Sequence, residues 1–331
     1  MSLSEGNLQA CLPWQYTQWR RVVNLHRDSR LPHAVLLTGL PGIGKNRFSL
    51  ALAQYLMCAS PEAEVACGKC RQCVFNLAGT HPDLKILEPE ERGKQIKVDR
   101  IRGLVEFLSQ TSLQGGYKIA LISPAENMNI NAANALLKSL EEPSAKTLLL
   151  LVTDSPSRLL PTIRSRCQSI KFSIPTETES VQWLTKLVPA QIDVRELLEE
   201  SGGQPMTALN MLETDELSLR QQMSDEFLAM LSGAETPLTI AEKWLQHDLV
   251  NALEWLSRKL MTIVSHQMTA KSTDDRWQAF ASSANIQQLF KLFDKVVLLL
   301  DQLNRGANPN KQLALEELML TACESFAKTS R

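Results

Sequence analysis

Residues 33–46 read HAVLLTGLPGIGKN, an apolar run that passes directly into a glycine-rich loop. The run predicts a buried strand over 33–38, and the loop matches a phosphate-binding pattern of Gly, four free residues, Gly, Lys and then Ser or Thr. Gly39, Gly44 and Lys45 fit the pattern, but Asn46 stands at its final position. The usual hydroxyl there binds the magnesium ion that bridges the outer phosphates, and an amide is a poorer ligand. The loop therefore indicates a P-loop α/β fold that holds phosphate, or descends from one that did, without being equipped to cleave it.

The first half of the chain continues to alternate between strand-like and helix-like segments. Further strands are predicted over 84–87, 118–122, 147–152 and 168–172, and helices over 45–57, 98–110 and 129–142. Short apolar strands separated by helices are typical of a mostly parallel sheet covered by helices on both faces.

After Pro175 the pattern is helical only. We predict an α/β domain over 1–174 with a cysteine-containing insert at 58–73, a small helical lid domain over 175–214, and an all-helical domain over 215–331. A chain of 331 residues is long enough for two or three domains.

Composition excludes several classes of protein. The chain has 35 basic and 36 acidic residues and a net charge of −1, so no global positive field attracts it to nucleic acid. Its longest apolar runs, such as 148–152 and 296–300, are far too short to span a membrane. We expect no membrane association, and the N-terminus has no signal-like segment. The clustered cysteines favour the cytoplasm, where thiols bind metal rather than pair.

Four cysteines have the spacing of a metal-binding site: Cys58, Cys67, Cys70 and Cys73 follow C-x8-C-x2-C-x2-C. Four thiolates suit a closed tetrahedral zinc site, and we predict a structural zinc ion here. Unligated thiols and an iron–sulfur cluster are the alternatives. His81 could be an alternative ligand, although a turn before the second strand explains it better.

The second acidic site of a P-loop ATPase is missing. The strand at 118–122 ends in Ser123-Pro124-Ala125, where an Asp-Glu pair would hold the metal ion and the attacking water. Glu126 comes too late in the chain, and we interpret it as a solvated loop residue. Asn46 and Ser123 therefore replace two independent metal contacts. The alternative is an autonomous ATPase in which Glu126 and Asn46 substitute for the usual ligands.

A longer signature lies downstream. It comprises NALLKSLEEP at 134–143, Thr153-Asp154 after the next strand, and Ser165-Arg166-Cys167. In this order and spacing the signature resembles the clamp-loader branch of the AAA+ proteins, and the match covers most of residues 30–175.

The resemblance implies specific roles for Arg166, Thr153 and Met206. Arg166 would be an arginine finger supplied in trans to a neighbouring ATPase. Arg164 is two residues away and points elsewhere on a helix, so we interpret it as structural. Thr153 stands where the family senses the γ-phosphate, and the alternative is that it only caps the strand. Met206 occupies the place of a nucleotide-sensing arginine. These matches imply a subunit with no catalysis of its own, a stator in a pentameric loader that places a ring-shaped sliding clamp on primed DNA.

The resemblance also implies partners and a location. The C-terminal helices would join an oligomeric collar with the ATPase subunits and a clamp-opening subunit, and the assembly would act on the sliding clamp and primer–template DNA in the cytoplasm, at the replisome on the nucleoid. Direct nucleotide binding stays open: Gly39, Gly42, Gly44, Lys45 and Asn46 either bind ATP or ADP or persist only for their turn geometry. A zinc-dependent nucleic-acid reader is a third hypothesis, and the neutral net charge argues against it.

Overall fold

The structure is a computed structural model, and it describes residues 10–91, 94–214, 216–269, 275–304 and 307–326. It divides into two compact units, one up to Met211 and one from Leu212 onward. The predicted domain limits at residues 1, 215 and 331 lie outside the described residues. The finer division into three domains stays a prediction.

The first unit contains one parallel sheet. Its strands are β1 (Ala34–Thr38), β2 (Leu84–Leu87), β3 (Lys118–Ile122), β4 (Thr147–Thr153) and β5 (Gln168–Lys171), in the order β2-β3-β4-β1-β5. All four strand pairings are parallel. The predicted parallel α/β sheet is therefore confirmed.

Helices cover both faces of this sheet. In chain order, the helices that begin in this unit are α1 (Tyr16–Arg27), α2 (Lys45–Met57), α3 (Arg71–Leu77), α4 (Val98–Ser109), α5 (Ile130–Glu141), α6 (Pro161–Arg164), α7 (Glu177–Leu184), α8 (Val194–Glu200) and α9 (Pro205–Glu213). Helices α1 and α2 pack on one face of the sheet, and α4 and α5 pack on the other. Alternate side chains of a strand point to opposite faces of a sheet. In β1, Val35 packs in a core with Phe48 of α2, whereas Leu36 packs in a second core with Leu104 of α4 and Leu136 of α5.

The strand order brings the carboxyl ends of β1, β3 and β4 to the same edge of the sheet. β1 lies between β4 and β5, and Thr38 is directly opposite Thr153. The residues that follow these two threonines, Gly39 and Asp154, consequently leave the sheet side by side. Ser123 follows β3 at the same edge. In open α/β sheets, ligands bind in the crevice outside the carboxyl ends of the strands, so this edge is where a nucleotide site belongs.

The second unit is helical throughout its described residues. It contains α10 (Glu216–Leu231), α11 (Pro237–Trp244), α12 (Leu249–Thr269), α13 (Asp275–Ser283), α14 (Ile286–Asn304) and α15 (Lys311–Phe326). Its core is built around Phe227, whose ring stacks on Trp277 and contacts Trp244 and Trp255. The predicted all-helical C-terminal region is confirmed. Among the described helices, none has the length and apolar character needed to cross a bilayer.

Candidate functional site

The lysine of the glycine-rich loop is bound by its own chain. Lys45 is the first residue of α2, and its Nζ donates to the carbonyl oxygens of Gly39 at 2.8 Å and Leu40 at 2.5 Å. The same ammonium forms an ion pair with Asp154 Oδ1 at 2.5 Å. The Lys45 side chain is only 3% exposed, whereas that of Asp154 is 41% exposed. A phosphate group would have to displace the Asp154 carboxylate to reach this lysine.

The two substituted metal positions contact each other. Ser123 Oγ, at the end of β3, donates to Asn46 Oδ1 at 2.7 Å. The amide oxygen of Asn46 is the atom that a cation would bind, because the amide nitrogen repels it. That oxygen accepts a hydrogen bond from the hydroxyl of Ser123, which stands where a P-loop ATPase would have its acidic pair.

The Glu126 carboxylate binds backbone groups of another segment, so its interpretation as a solvated loop residue was wrong. Its Oε1 accepts the backbone N–H groups of Asp154 at 2.9 Å and Ser155 at 3.1 Å. Its Oε2 is buried. The N–H groups come from the segment after β4, which is distant in sequence, so the local sequence gave no sign of them. Glu126 thereby holds the segment that presents Asp154 to Lys45.

The segment before α1 covers the loop from one side. Trp14 Nε1 and Gln15 Nε2 both donate to the carbonyl oxygen of Ile43 at 3.0 Å. Gly44, with φ +87°, has no room for a side chain, since a Cβ there would lie 2.3 Å from Leu12 Cδ1. The chain N-terminal to α1 therefore packs directly on the phosphate-binding loop.

The first turn of α9 covers the loop from another side. The backbone N–H of Met206 donates to the carbonyl oxygen of Gly42 at 2.9 Å. A Cβ on Gly42 would lie 2.1 Å from Thr207 Oγ1 and 2.8 Å from Gln204 Cβ. Met206, which stands where the family resemblance implies a nucleotide-sensing arginine, contacts the loop through its backbone.

Arg166 lies at the surface, in the turn between α6 and β5. Its NH1 donates to the carbonyl oxygen of Thr162 at 3.0 Å, and its NH2 forms an ion pair with Glu141 Oε1 at 2.7 Å. The Arg166 side chain is 36% exposed. The neighbouring Arg164 is also exposed, at the last residue of α6. Thr153 is buried at the end of β4, where its Oγ1 accepts the N–H of Ser155 at 3.1 Å.

The four predicted cysteine ligands converge on one point. The ligand atoms of Cys58, Cys67, Cys70 and Cys73 all lie within 4.8 Å of one another. The Cys58–Cys70 and Cys67–Cys73 sulfur pairs are each 3.9 Å apart. Zinc–sulfur bonds of about 2.3 Å place the corners of a tetrahedron about 3.8 Å apart. The sulfurs thus fit a single zinc-sized ion, whereas the several irons of a cluster need thiolates that are farther apart.

Backbone groups favour thiolates in part of this cluster. Hydrogen bonds from the N–H groups of Lys69 and Cys70 lower the pKa of the Cys67 thiol to about 6. Burial raises the pKa of the Cys73 thiol. A bound zinc ion would keep all four ligands deprotonated and would supply a structural cross-link between the end of α2 and α3.

The imidazole of His81 makes hydrogen bonds outside the cysteine cluster. Its Nδ1 accepts the N–H of Asp83 at 3.1 Å, so its Nε2 carries the proton that is donated to Gln72 Oε1 at 2.9 Å. Burial lowers the pKa of this imidazole. Both ring nitrogens are engaged, so the preferred interpretation as a turn residue before β2 agrees with this geometry, and the four thiols remain as the ligand set.

Family models and individual relatives point to the same family, and together they match nearly the whole chain. The family model described as DNA polymerase III, delta subunit, matches residues 14–176, and that described as DNA polymerase III, delta subunit, C terminal, matches residues 214–323. DNA polymerase III subunit delta' of Pseudomonas aeruginosa is 42% identical over 259 residues, which cover 78% of each chain. The Escherichia coli K12 protein of the same name is 31% identical over 315 residues, which cover 93% of this chain and 94% of the relative.

A solved structure supports the fold. A DNA polymerase III gamma subunit-related protein from Thermotoga maritima aligns with a TM-score of 0.52 at 20% identity, over 92% of this chain and 99% of that chain. At this identity the likeness speaks for the architecture alone.

Proposed function

The chain belongs to the delta prime family of DNA polymerase III subunits, and from that membership we propose that it is a non-hydrolysing stator of the clamp loader. Membership confirms the resemblance to the clamp-loader branch of the AAA+ proteins. In the proposed role the chain joins gamma or tau ATPase subunits and the clamp-opening delta subunit, and the assembly loads the sliding clamp on primed DNA for a DNA-directed DNA polymerase.

The absence of turnover is supported by the state of the phosphate-binding loop. Lys45 is held by two carbonyl oxygens and the Asp154 carboxylate, and Asn46 is held by Ser123. ATP hydrolysis at this loop would need the lysine on the outer phosphates and a metal ion at the position of Asn46. In this structure both groups contact the protein instead. This single observation carries the proposal of a subunit without its own catalytic centre.

The arginine finger is the second part of the proposal. In a neighbouring ATPase, water attacks the γ-phosphorus, the bond from that phosphorus to the β–γ bridging oxygen breaks, and ADP, inorganic phosphate and a proton are released. Negative charge shifts toward the bridging oxygen during this step. A permanently charged, planar guanidinium stabilises that charge. Arg166 is exposed and follows the serine of the Ser-Arg-Cys triplet, which supports its assignment to this role.

ATP turnover by the purified chain is the first test. We expect no sustained magnesium-dependent hydrolysis. Turnover that disappears in Lys45→Met would reverse the proposal in favour of an autonomous ATPase. Tight, salt-sensitive DNA binding by the lone chain would instead favour a zinc-dependent nucleic-acid reader.

The finger is tested in the reconstituted loader. Arg166→Ala should lower hydrolysis at the facing site by about a thousandfold, so a single-turnover experiment loses the amplitude of that site. Arg164→Ala is the matched control, because that guanidinium is also exposed and lies two residues away. Equal ATP hydrolysis rates in Arg166→Ala and Arg164→Ala would contradict the assignment of Arg166 as the arginine finger.

A further inference from the structure

The Arg166 guanidinium is anchored by two different helices. NH1 is bound to the carbonyl oxygen of Thr162 on α6, and NH2 is paired with the carboxylate of Glu141, the last residue of α5. A guanidinium has five N–H donors. The Nε–H group makes no hydrogen bond within the described part of the chain, so donors remain for an external oxyanion.

We propose that Glu141 is a positioning residue that holds the Arg166 guanidinium in the orientation needed at the triphosphate of the adjoining ATPase subunit. The inference rests on the proposed arginine-finger role and adds a residue to it. Glu141 acts through Arg166 and does not touch the nucleotide.

The local structure of α5 does not explain an acidic residue at this point. The C-terminal end of a helix carries partial negative charge, so a carboxylate there is disfavoured. Glu141 nevertheless occupies the last position of α5 and directs its Oε1 to Arg166 at 2.7 Å. An ion pair between side chains that are 36% and 51% exposed contributes little to folding. Its effect is therefore expected in the geometry of the arginine rather than in stability.

The physical advantage is preorganisation. A free arginine side chain has many rotamers, and fixing one of them opposes binding of the triphosphate. Two anchors on the NH1 and NH2 ends restrict that freedom before the neighbour arrives. Restricting rotamers in advance also favours the alignment that the transition state requires. Loss of one anchor should thus slow hydrolysis without preventing assembly.

Glu142 provides a matched control. It is the next residue, is also exposed, and lies at the same electrostatically disfavoured helix end. Within the described residues its side chain forms no ion pair. Replacing it removes the same charge from nearly the same place but leaves the Arg166 anchors intact.

The experiment uses the complete loader, reconstituted with Glu141→Ala, Glu141→Gln, Glu142→Ala, Arg166→Ala and the double variant Glu141→Ala/Arg166→Ala. ATP is titrated in single-turnover measurements, and assembly is checked by sedimentation. We expect Glu141→Ala to lower the hydrolysis rate at the facing site about tenfold, with little change in the ATP concentration at half-maximal rate. Glu141→Gln keeps an acceptor oxygen and should recover part of the loss, and Glu142→Ala should match the wild type.

The Arg166→Ala background separates the two proposals. If Glu141 acts only through Arg166, then adding Glu141→Ala to Arg166→Ala changes nothing further. A further loss in the double variant overturns the positioning role, as does an unchanged or faster rate in Glu141→Ala while Arg166→Ala is slow. If Arg166→Ala itself is as fast as the wild type, the finger assignment fails instead.

Discussion

Replacing Asp154 with alanine tests whether its carboxylate holds Lys45 of the phosphate-binding loop in place. The change removes the only charged partner of Lys45 among the described residues and leaves the two carbonyl acceptors in place. The ammonium then stays in a site where its side chain is 3% exposed. A buried charge that loses its counterion is costly, because the remaining polar contacts only partly replace it.

The size of the effect follows from the unequal burial of the two partners. Exposed ion pairs contribute up to about 1 kcal/mol, whereas breaking a fully buried pair costs about 3–5 kcal/mol. Asp154 is 41% exposed, so solvent can reach the vacated side and the cost must be reduced accordingly. We expect the free energy of unfolding to fall by about 1.5 kcal/mol, measured by urea denaturation with tryptophan fluorescence.

A double-mutant cycle assigns that loss to the ion pair. In a Lys45→Met background, Asp154→Ala should cost less than about 0.5 kcal/mol, since no buried ammonium remains. Asp99→Ala is the control for an exposed pair: Asp99 contacts Arg102 at 3.1 Å, with side chains 83% and 69% exposed. Two results would contradict a stabilising role for the Asp154–Lys45 ion pair. One is a loss of unfolding free energy in Asp154→Ala no larger than in Asp99→Ala, and the other is an equal loss in the wild-type and Lys45→Met backgrounds.

Three other outcomes are expected. Cys70→Ser should lose stoichiometric zinc, measured by atomic absorption, whereas Cys323→Ser, which lies outside the cluster, should retain it; full metal content in Cys70→Ser would argue against the four-thiolate site. Burial opposes ionisation of Asp83, but hydrogen bonds from the N–H groups of Leu113 and Gln114, from Ser112 and from Lys118 outweigh it and lower the pKa of this carboxyl. A depressed folded-state pKa gives stability that is present above the unfolded value of about 4 and is lost as the pH falls through the folded value; Asp83→Asn should therefore flatten the acid side of the stability curve, and an unchanged slope would remove Asp83 as its source. Lys45→Met should leave ATP hydrolysis by the reconstituted loader within about twofold of the wild type, and a collapse of the rate would show that this loop participates.

Much of the sheet was predictable because its strands are short, apolar and buried. The predicted strands at 84–87 and 118–122 coincide with β2 and β3, and the others differ by one residue at an end. The helix α1, which the sequence analysis did not predict, carries a usable signal: Trp19, Val22 and Val23 are buried at helical spacing. The short helices α3 and α6 gave no comparable periodicity.

The contacts that close the loop could not be predicted from local sequence. Lys45 and Asp154 are far apart in the chain and meet because β1 inserts between β4 and β5. Asn46 and Ser123 were both identified as departures from the ATPase pattern, but their mutual hydrogen bond depends on the same strand order. Glu126 has no sequence signature beyond its charge, and Glu141 lies within the run quoted at 134–143 but without any local sign that it pairs with Arg166.

The tight seating of α9 on Gly42 has a consequence for protein engineering. A designer who wished to convert this polypeptide into a working motor would naturally restore threonine at 46 and acids after β3. Those repairs would leave the Met206 N–H on the Gly42 carbonyl oxygen, and Thr207 Oγ1 2.1 Å from the position that a β-carbon on Gly42 would take. The obstacle to restoring ATP hydrolysis is therefore steric as well as chemical. A successful redesign has to move the first turn of α9 away from the loop before it replaces the metal ligands.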